Sequence, residues 1–129
     1  MITNEGRNII KRVFAGQAAQ IAGSMAFGTG TTAANLTDVS LDEEVIKVAI
    51  TSIGADLANN RIVFKASIQP GTVATINEVG LYSSNLLITG DGPLDGSNVL
   101  VARTVLSAPV SVDQDVVSEV EYSLEINIT

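Results

Sequence analysis

Hydrophobic and polar residues alternate with a period of two through the last part of the chain. The apolar side chains fall on even positions and the polar ones on odd positions; the even set is Val116, Val120, Tyr122, Leu124, Ile126 and Ile128. Alternation of this kind is typical of a half-buried antiparallel strand, with one face on a core and the other in water. We therefore expect a terminal strand with Val120, Tyr122, Leu124 and Ile126 in the core.

Shorter strand patterns recur earlier in the chain. They cover residues 24–28, 45–53, 61–68, 72–82, 86–89 and 98–106. The stretch GADLANN at 54–60 suits a hairpin loop, and GDGPLDGSN at 90–98 has the glycine, proline and aspartate content of a turn. No helical pattern separates these segments, as a parallel βαβ fold would require. The prediction is an all-β fold, an antiparallel β-sandwich of about six to eight strands with a short N-terminal α-helix.

The first segment follows a helical period instead. Its large apolar residues make one stripe, formed by Ile9, Ile10, Val13 and Phe14. Thr3 or Asn4 can cap the start of such a helix, and Gly16 can end it in the left-handed conformation. We divide the chain into an N-terminal helix, residues 1–16, and a single β-sandwich domain, residues 17–129.

The absence of two residue types restricts the chemistry. The 129 residues include no histidine and no cysteine. Histidine is the usual general base near neutral pH and the commonest metal ligand, so the common nucleophilic triads and histidine-based metal sites are excluded. We expect a protein that is not an enzyme and that needs no cofactor and no metal.

Charge narrows the range of partners. The chain has seven basic and 14 acidic residues, a net charge of −7. Nucleic acids and anionic membranes attract basic surfaces, so we expect neither among the partners. The charges are also unevenly distributed. Arg7, Lys11 and Arg12 are opposed only by Glu5 in the first segment, whereas residues 104–129 contain five acids and no base.

Two glycine-rich stretches have a weak likeness to ligand motifs. Residues 28–33, GTGTTA, match a loose dinucleotide pattern, but no amphipathic helix follows to bind a pyrophosphate. Asp91 and Asp95 occupy two ligand positions of a calcium loop, but Pro93 and Ala102 stand where two further ligands are needed. We interpret both stretches as structural turns without a bound ligand.

Carboxylates cluster at residues 42–44 and again at Glu119, Glu121 and Glu125. Paired acids can hydrolyse glycosides, so a carboxylate-based glycan hydrolase is one remote alternative and a glycan-binding domain is another. Aromatic side chains usually line sugar sites, and the chain has only three Phe and two Tyr. We interpret these acids as a strand surface that faces water or a neighbouring subunit.

An ordered set of segments carries a family resemblance. The segments are ITNEGRNII at 2–10, AGQ at 15–17, MAFGTGTTA at 25–33, LDEEV at 41–45, NRIVFKA at 60–66, INEVGLY at 76–82, LVART at 100–104 and the alternating terminal strand. Their order resembles small structural proteins of tailed bacteriophages. It is similar to the N-terminal module of tail-collar fibre proteins and to stand-alone capsid decoration or minor structural proteins. The resemblance spans nearly the whole chain and implies a non-enzymatic β-domain that assembles.

The expected function is therefore that of a virion structural protein. We expect it to bind copies of itself and another virion protein, either the major capsid protein or a tail or collar protein. Such particles assemble in the cytoplasm of the bacterial host. Capsid decoration is the favoured role, because the fibre proteins continue beyond this module and the sequence ends at residue 129. A tail-collar, tail-fibre or baseplate component is the alternative.

The N-terminal helix is the predicted partner-binding element. The residues proposed for it are Arg7, Ile9, Ile10, Lys11, Arg12, Val13 and Phe14. In one interpretation the helix packs on its own sandwich and its charges face water. In the favoured one it anchors the protein, with its basic edge on an acidic surface and its apolar stripe buried against a partner.

Overall fold

The computed structural model describes residues 1–16, 21–70, 75–83, 99–112, 115 and 117–125. Within these residues one helix is followed by seven strands. They are α1 (Asn4–Phe14), β1 (Ser24–Gly28), β2 (Glu44–Ala49), β3 (Ser52–Asp56), β4 (Arg61–Ile68), β5 (Thr75–Tyr82), β6 (Leu100–Ser111) and β7 (Ser118–Glu125). The predicted all-β sandwich with a short N-terminal helix is confirmed.

The strands form two antiparallel sheets. The larger sheet has the order β2-β1-β5-β6, and the smaller sheet has the order β3-β4-β7. In the smaller sheet Phe64 pairs with Tyr122 and Ala66 with Val120, so the apolar positions of β4 and β7 share one face. Cross-strand matching of this kind fixes the register, since a slip of one residue would turn the apolar set toward water.

The main core lies between the two sheets. Met25, Phe27 and Leu81 of the larger sheet belong to one buried cluster with Phe64 and Tyr122 of the smaller sheet. Because side chains alternate across a strand, the residues between these ones face the other way. Ala26 accordingly belongs to a second cluster with Leu41, Tyr82 and Leu100, on the outer face of the larger sheet.

An irregular segment, residues 29–43, covers part of that outer face. We call it the covering segment. Leu41 is its apolar contact, and the Leu41 backbone N–H donates to the Tyr82 hydroxyl at 3.2 Å. Gly80 lies beneath it, because a Cβ at that position would stand 2.7 Å from Leu41 Cδ2. A glycine within a strand suits such a close approach.

The start of α1 is fixed to β6 of the same chain. Thr3 caps the helix through the Gly6 N–H, at 2.9 Å, and its own N–H donates to the Val101 carbonyl. Gly6 lies directly on the strand, since a Cβ there would stand 2.0 Å from the Val101 carbonyl oxygen. Ile9 follows one turn later and is 3% exposed. Gly16 has φ 76°, the left-handed conformation predicted for the end of the helix.

The strand predicted over 45–53 is wrong in one respect. The chain leaves the larger sheet after β2 and enters the smaller one as β3, so this stretch divides between two sheets. The hairpin loop predicted at 54–60 is correspondingly shorter. Gly54–Asp56 pair with β4, and the turn occupies residues 57–60 with Asn60 at φ 54°. Asparagine tolerates this left-handed conformation better than most residues do.

The terminal strand agrees with its alternating pattern. Tyr122 and Leu124 are 8% and 4% exposed, Val120 is half-buried, and Glu119, Glu121 and Glu125 are exposed. β6 extends five residues past the predicted end at 106. Ile126, the strand predicted at 86–89 and the turn predicted at 90–98, including Asp91 and Asp95, lie outside the described residues.

Candidate functional site

A buried ion pair lies beneath the covering segment. Glu78 of β5 and Arg103 of β6 approach to 2.9 Å, from Nε to Oε1, and their side chains are 0% and 1% exposed. Buried charges are costly unless they are paired and fully hydrogen-bonded. Both residues point from the outer face of the larger sheet, so the covering segment must supply their other partners.

The Glu78 carboxylate is saturated by donors. Oε1 accepts from the Asp42 N–H at 2.9 Å as well as from Arg103. Oε2 accepts from the Gly30 N–H at 2.8 Å and the Glu43 N–H at 2.9 Å. Burial alone would raise the pKa of Glu78, but these backbone donors and the guanidinium outweigh it and hold the pKa below its ordinary value.

Arg103 binds the other side of the covering segment. Its Nη1 lies 3.0 Å from Asp38 Oδ2, and its Nη2 donates to the Thr32 carbonyl at 2.8 Å and lies 3.5 Å from Asp42 Oδ2. Burial would lower the pKa of Arg103, but Glu78 and Asp38 raise it above its ordinary value. The pair thus ties the segment at residues 30, 32, 38, 42 and 43 to two adjacent strands.

This network holds a loop in place, and neither Glu78 nor Arg103 is accessible for acid–base chemistry. Both Glu78 oxygens are occupied, and Arg103 is inaccessible to a ligand from solvent. We call Glu78, Arg103 and their covering-segment partners the latch. No role was predicted for Glu78 or Arg103, although a lone acid and a lone base within apolar strands are themselves a signal of a buried pair.

The carboxylates at 42–44 have separate structural partners. Asp42 Oδ2 accepts from the Thr32 N–H at 3.1 Å. The Thr32 side chain, this backbone N–H and the Arg103 charge together lower the pKa of Asp42. Glu43 Oε2 accepts from the Thr29 hydroxyl at 2.8 Å, and Glu44 Oε1 lies 3.9 Å from Lys47 Nζ. Lys47 Nζ also stands 3.8 Å from the centre of the Tyr82 ring, a cation–π contact. The Asp42 and Glu43 contacts therefore stabilise the covering segment internally, and the Glu44 contact lies within β2.

The other acid cluster lies on the outer face of the smaller sheet. Lys65 Nζ lies 3.9 Å from Glu119 Oε1 and 3.3 Å from Glu121 Oε1. These side chains are well exposed, so the pairs add little to the free energy of folding. No group of three or more acidic residues suited to a metal ion occurs among the residues that the structure describes.

The GTGTTA stretch leads into an irregular segment, as the turn interpretation predicts. Within residues 28–33 the structure has the end of β1 and then no helix. Gly30 lies so close to the latch that a Cβ would stand 2.2 Å from Glu78 Oε2. Because Gly30 has no Cβ, a carboxylate of the same chain can approach its backbone. In a nucleotide-binding motif a glycine would allow a phosphate to approach in the same way.

The residues of the predicted partner-binding stripe differ in how deeply they are buried. Ile9 is buried, Ile10 and Val13 are half-buried, and Phe14 is 70% exposed. Of the basic residues, Arg7 and Lys11 are exposed and Arg12 is half-buried. The first half of α1 thus packs on its own chain, and the exposed surface of the helix lies toward its C-terminal end. Binding of a partner by these residues stays a prediction.

An apolar cleft opens between the sheets on the side of β6 and β7. Its volume is about 400 Å³. Its walls include Phe27 and Val79 from the larger sheet and Val120 and Tyr122 from the smaller one. The Tyr122 hydroxyl is 2.6 Å from Thr104 Oγ1, which bridges the sheets inside the cleft. This cleft was not predicted, because alternation along single strands does not show how far two sheets diverge.

No protein-family model matches the chain, and no curated protein is significantly similar to it. Across the described parts of the chain, the structure has no helix with the length and apolar character needed to cross a bilayer.

Proposed function

We propose that this chain is a non-enzymatic virion structural protein of a tailed bacteriophage. It associates with copies of itself and binds another virion protein, and its favoured role is decoration of the capsid. A tail-collar, tail-fibre or baseplate component is the alternative, since the sequence also resembles the N-terminal module of tail-collar fibre proteins.

One observation carries the proposal: the residues of the latch belong to the segments on which the family resemblance rests. Gly30 comes from the segment MAFGTGTTA, Glu78 from INEVGLY and Arg103 from LVART, which are three of the segments on which the resemblance rests. Two others join them. Asp42 and Glu43 belong to LDEEV, and Thr3 and Gly6 belong to ITNEGRNII, which packs on Val101. Five of the segments that carry the resemblance thus meet in one packed framework.

A framework of this kind suits an assembling protein. Catalytic residues would converge on an accessible group, whereas the residues of these segments converge on a saturated and buried pair. The latch holds an irregular segment against a sheet with several charge-assisted hydrogen bonds, which are about twice as strong as neutral ones. A rigid surface binds a partner at a lower cost in conformational entropy than a mobile one does.

The proposal is tested by following the protein into particles. An antibody against the purified chain is used on a lysate of phage-producing cells that encode it, after density-gradient separation of particles from soluble protein. We expect the chain in the particle fraction, with immunogold label on the head. Label on the tail or collar would select the alternative, and a chain found only with soluble protein would refute the proposal.

A further inference from the structure

We propose that the apolar cleft between β6 and β7 receives the exposed C-terminal end of α1 from a second copy of the chain. The contact joins copies head to tail, with Phe14 as the inserted residue. The inference rests on the self-association included in the proposed function and names the two surfaces that carry it.

The inserted element is a large apolar side chain on a basic helix. Phe14 is 70% exposed, although an aromatic ring favours burial. Lys11 lies one turn earlier, and Arg7 one turn before that; both are exposed. The helix is held in place by Thr3, Gly6 and Ile9, so it presents Phe14 from a fixed support.

The receiving element is a cleft of matching character. Its apolar walls include Phe27, Val79, Leu106, Val110, Val120 and Tyr122, and its volume of about 400 Å³ is ample for one aromatic ring. Val110, at the cleft, is 54% exposed, so the cleft can be reached from outside. Its own chain does not fill it with Phe14, because that side chain lies in solvent.

Charge selects the partner. Glu119 and Glu121 belong to β7, the strand at one edge of the cleft. Their side chains lie on the outer face of the smaller sheet beside Lys65 and are 62% and 58% exposed. The surface next to the cleft is therefore acidic, within a C-terminal stretch that has five acids and no base after residue 103. Residues 1–16 carry three basic side chains against Glu5 alone. An acidic surface beside an apolar cleft fits a basic helix with an apolar end, and this chain carries both surfaces.

The arrangement determines the form of assembly. The two surfaces differ, so each copy can give α1 to one neighbour and take α1 from another, which is a heterologous contact that builds rings or chains. A single aromatic side chain buries about 150–250 Å², against about 800 Å² per partner in a standard interface. The contact is therefore weak between free copies and effective where copies are held close together on a particle.

The first test is sedimentation velocity over about 10 μM to 1 mM protein, a range suited to weak contacts. We expect the weight-average sedimentation coefficient to rise with concentration. Phe14→Ala should weaken the association constant by about tenfold or more, as loss of an aromatic hot spot does. The matched control is Leu57→Ala, because Leu57 is 86% exposed and lies on the β3–β4 turn away from the cleft. It should associate as the unchanged chain does.

The second test uses a mixture. Val110→Arg places a cation at the cleft and should abolish association while keeping Phe14. Mixed with Phe14→Ala, which keeps the cleft, it should form pairs and nothing larger, because only one cleft and one Phe14 are intact between them. Circular dichroism verifies that each variant is folded.

Three results would overturn the inference. They are an unchanged chain that stays monomeric throughout, a Phe14→Ala variant that associates normally, and a mixture that forms no pairs. None of these bears on whether the protein enters particles. Conversely, if the copies associate head to tail but the chain is absent from particles, the proposed function is refuted and this inference is not.

Discussion

Glu78 and Arg103 form an ion pair, 2.9 Å apart, in which neither side chain reaches solvent. They stand on adjacent strands of one sheet and share Asp42 as a partner, through its backbone N–H and its side chain. A pair of this kind contributes little net free energy compared with a well-packed apolar pair, but removing one member leaves the other charge buried. Replacing either residue alone should therefore destabilise the fold.

Loss of Arg103 should be severe. Arg103→Met leaves the Glu78 carboxylate buried without its counter-ion, and we expect the free energy of unfolding to fall by about 3–5 kcal/mol. Urea denaturation measures the change. The control is Glu119→Gln at a well-exposed position, which should cost under about 1 kcal/mol. Equal losses for the two variants would contradict the buried pair.

Acid should weaken the latch. The pKa of Glu78 in the folded protein lies below its ordinary value of 4.5, so the folded state binds fewer protons there than the unfolded state does. The stability that Glu78 contributes is fully present above about pH 4.5 and is lost as the pH falls through the lower folded value. Asp42, whose pKa is also lowered, acts in the same direction.

The measurement is the urea midpoint at a series of pH values from 7 downward. The unchanged chain should lose stability progressively below about pH 4.5. Glu78→Gln should be less stable at pH 7 and should lose less on acidification, because residue 78 no longer titrates. Parallel curves for the two proteins would show that Glu78 does not contribute to the acid sensitivity.

Gly6 tests whether α1 belongs to its own sandwich. A Cβ at Gly6 would collide with the Val101 carbonyl oxygen, so Gly6→Ala must displace the helix, at a cost of about 1–3 kcal/mol. Gly54→Ala is the matched control, since a Cβ there meets nothing within 4 Å and alanine suits a strand better than glycine does. The midpoint temperature of thermal unfolding should be lowered by Gly6→Ala and not by Gly54→Ala. A harmless Gly6→Ala would mean that the helix does not pack on β6.

The two faces of β7 should respond differently to substitution. Leu124 is 4% exposed, and Leu124→Ala should cost about 2–5 kcal/mol, the usual range for a buried leucine. Glu121→Gln, on the opposite face, should cost much less than that. Chemical denaturation compares them, and equal effects would show that the faces have been assigned incorrectly.

Elements governed by local chemistry were predictable from the sequence. The cap at Thr3, the left-handed Gly16 and the alternation through β7 each depend on residues within a few positions of one another. The division of 45–53 between β2 and β3 was not predictable, because alternation reports that one face is buried and not which sheet buries it.

The latch depends on contacts that no local pattern encodes. Glu78 and Arg103 are 25 residues apart, and the Gly30 N–H reaches Glu78 across 48 residues. The same holds for the environment of the α1 stripe. Its helical spacing identified Ile9 and Phe14 as members of one face, but the position of β6 decides that Ile9 is buried and Phe14 is exposed.

The central claim is that this chain works as part of a virion, and electron cryo-microscopy of purified particles tests it most directly. The account predicts repeated density on the outer surface of the capsid that fits the two-sheet sandwich with α1 on β6. Density of that shape at the collar or tail would select the alternative position. A particle reconstruction in which no density fits the sandwich would contradict the account.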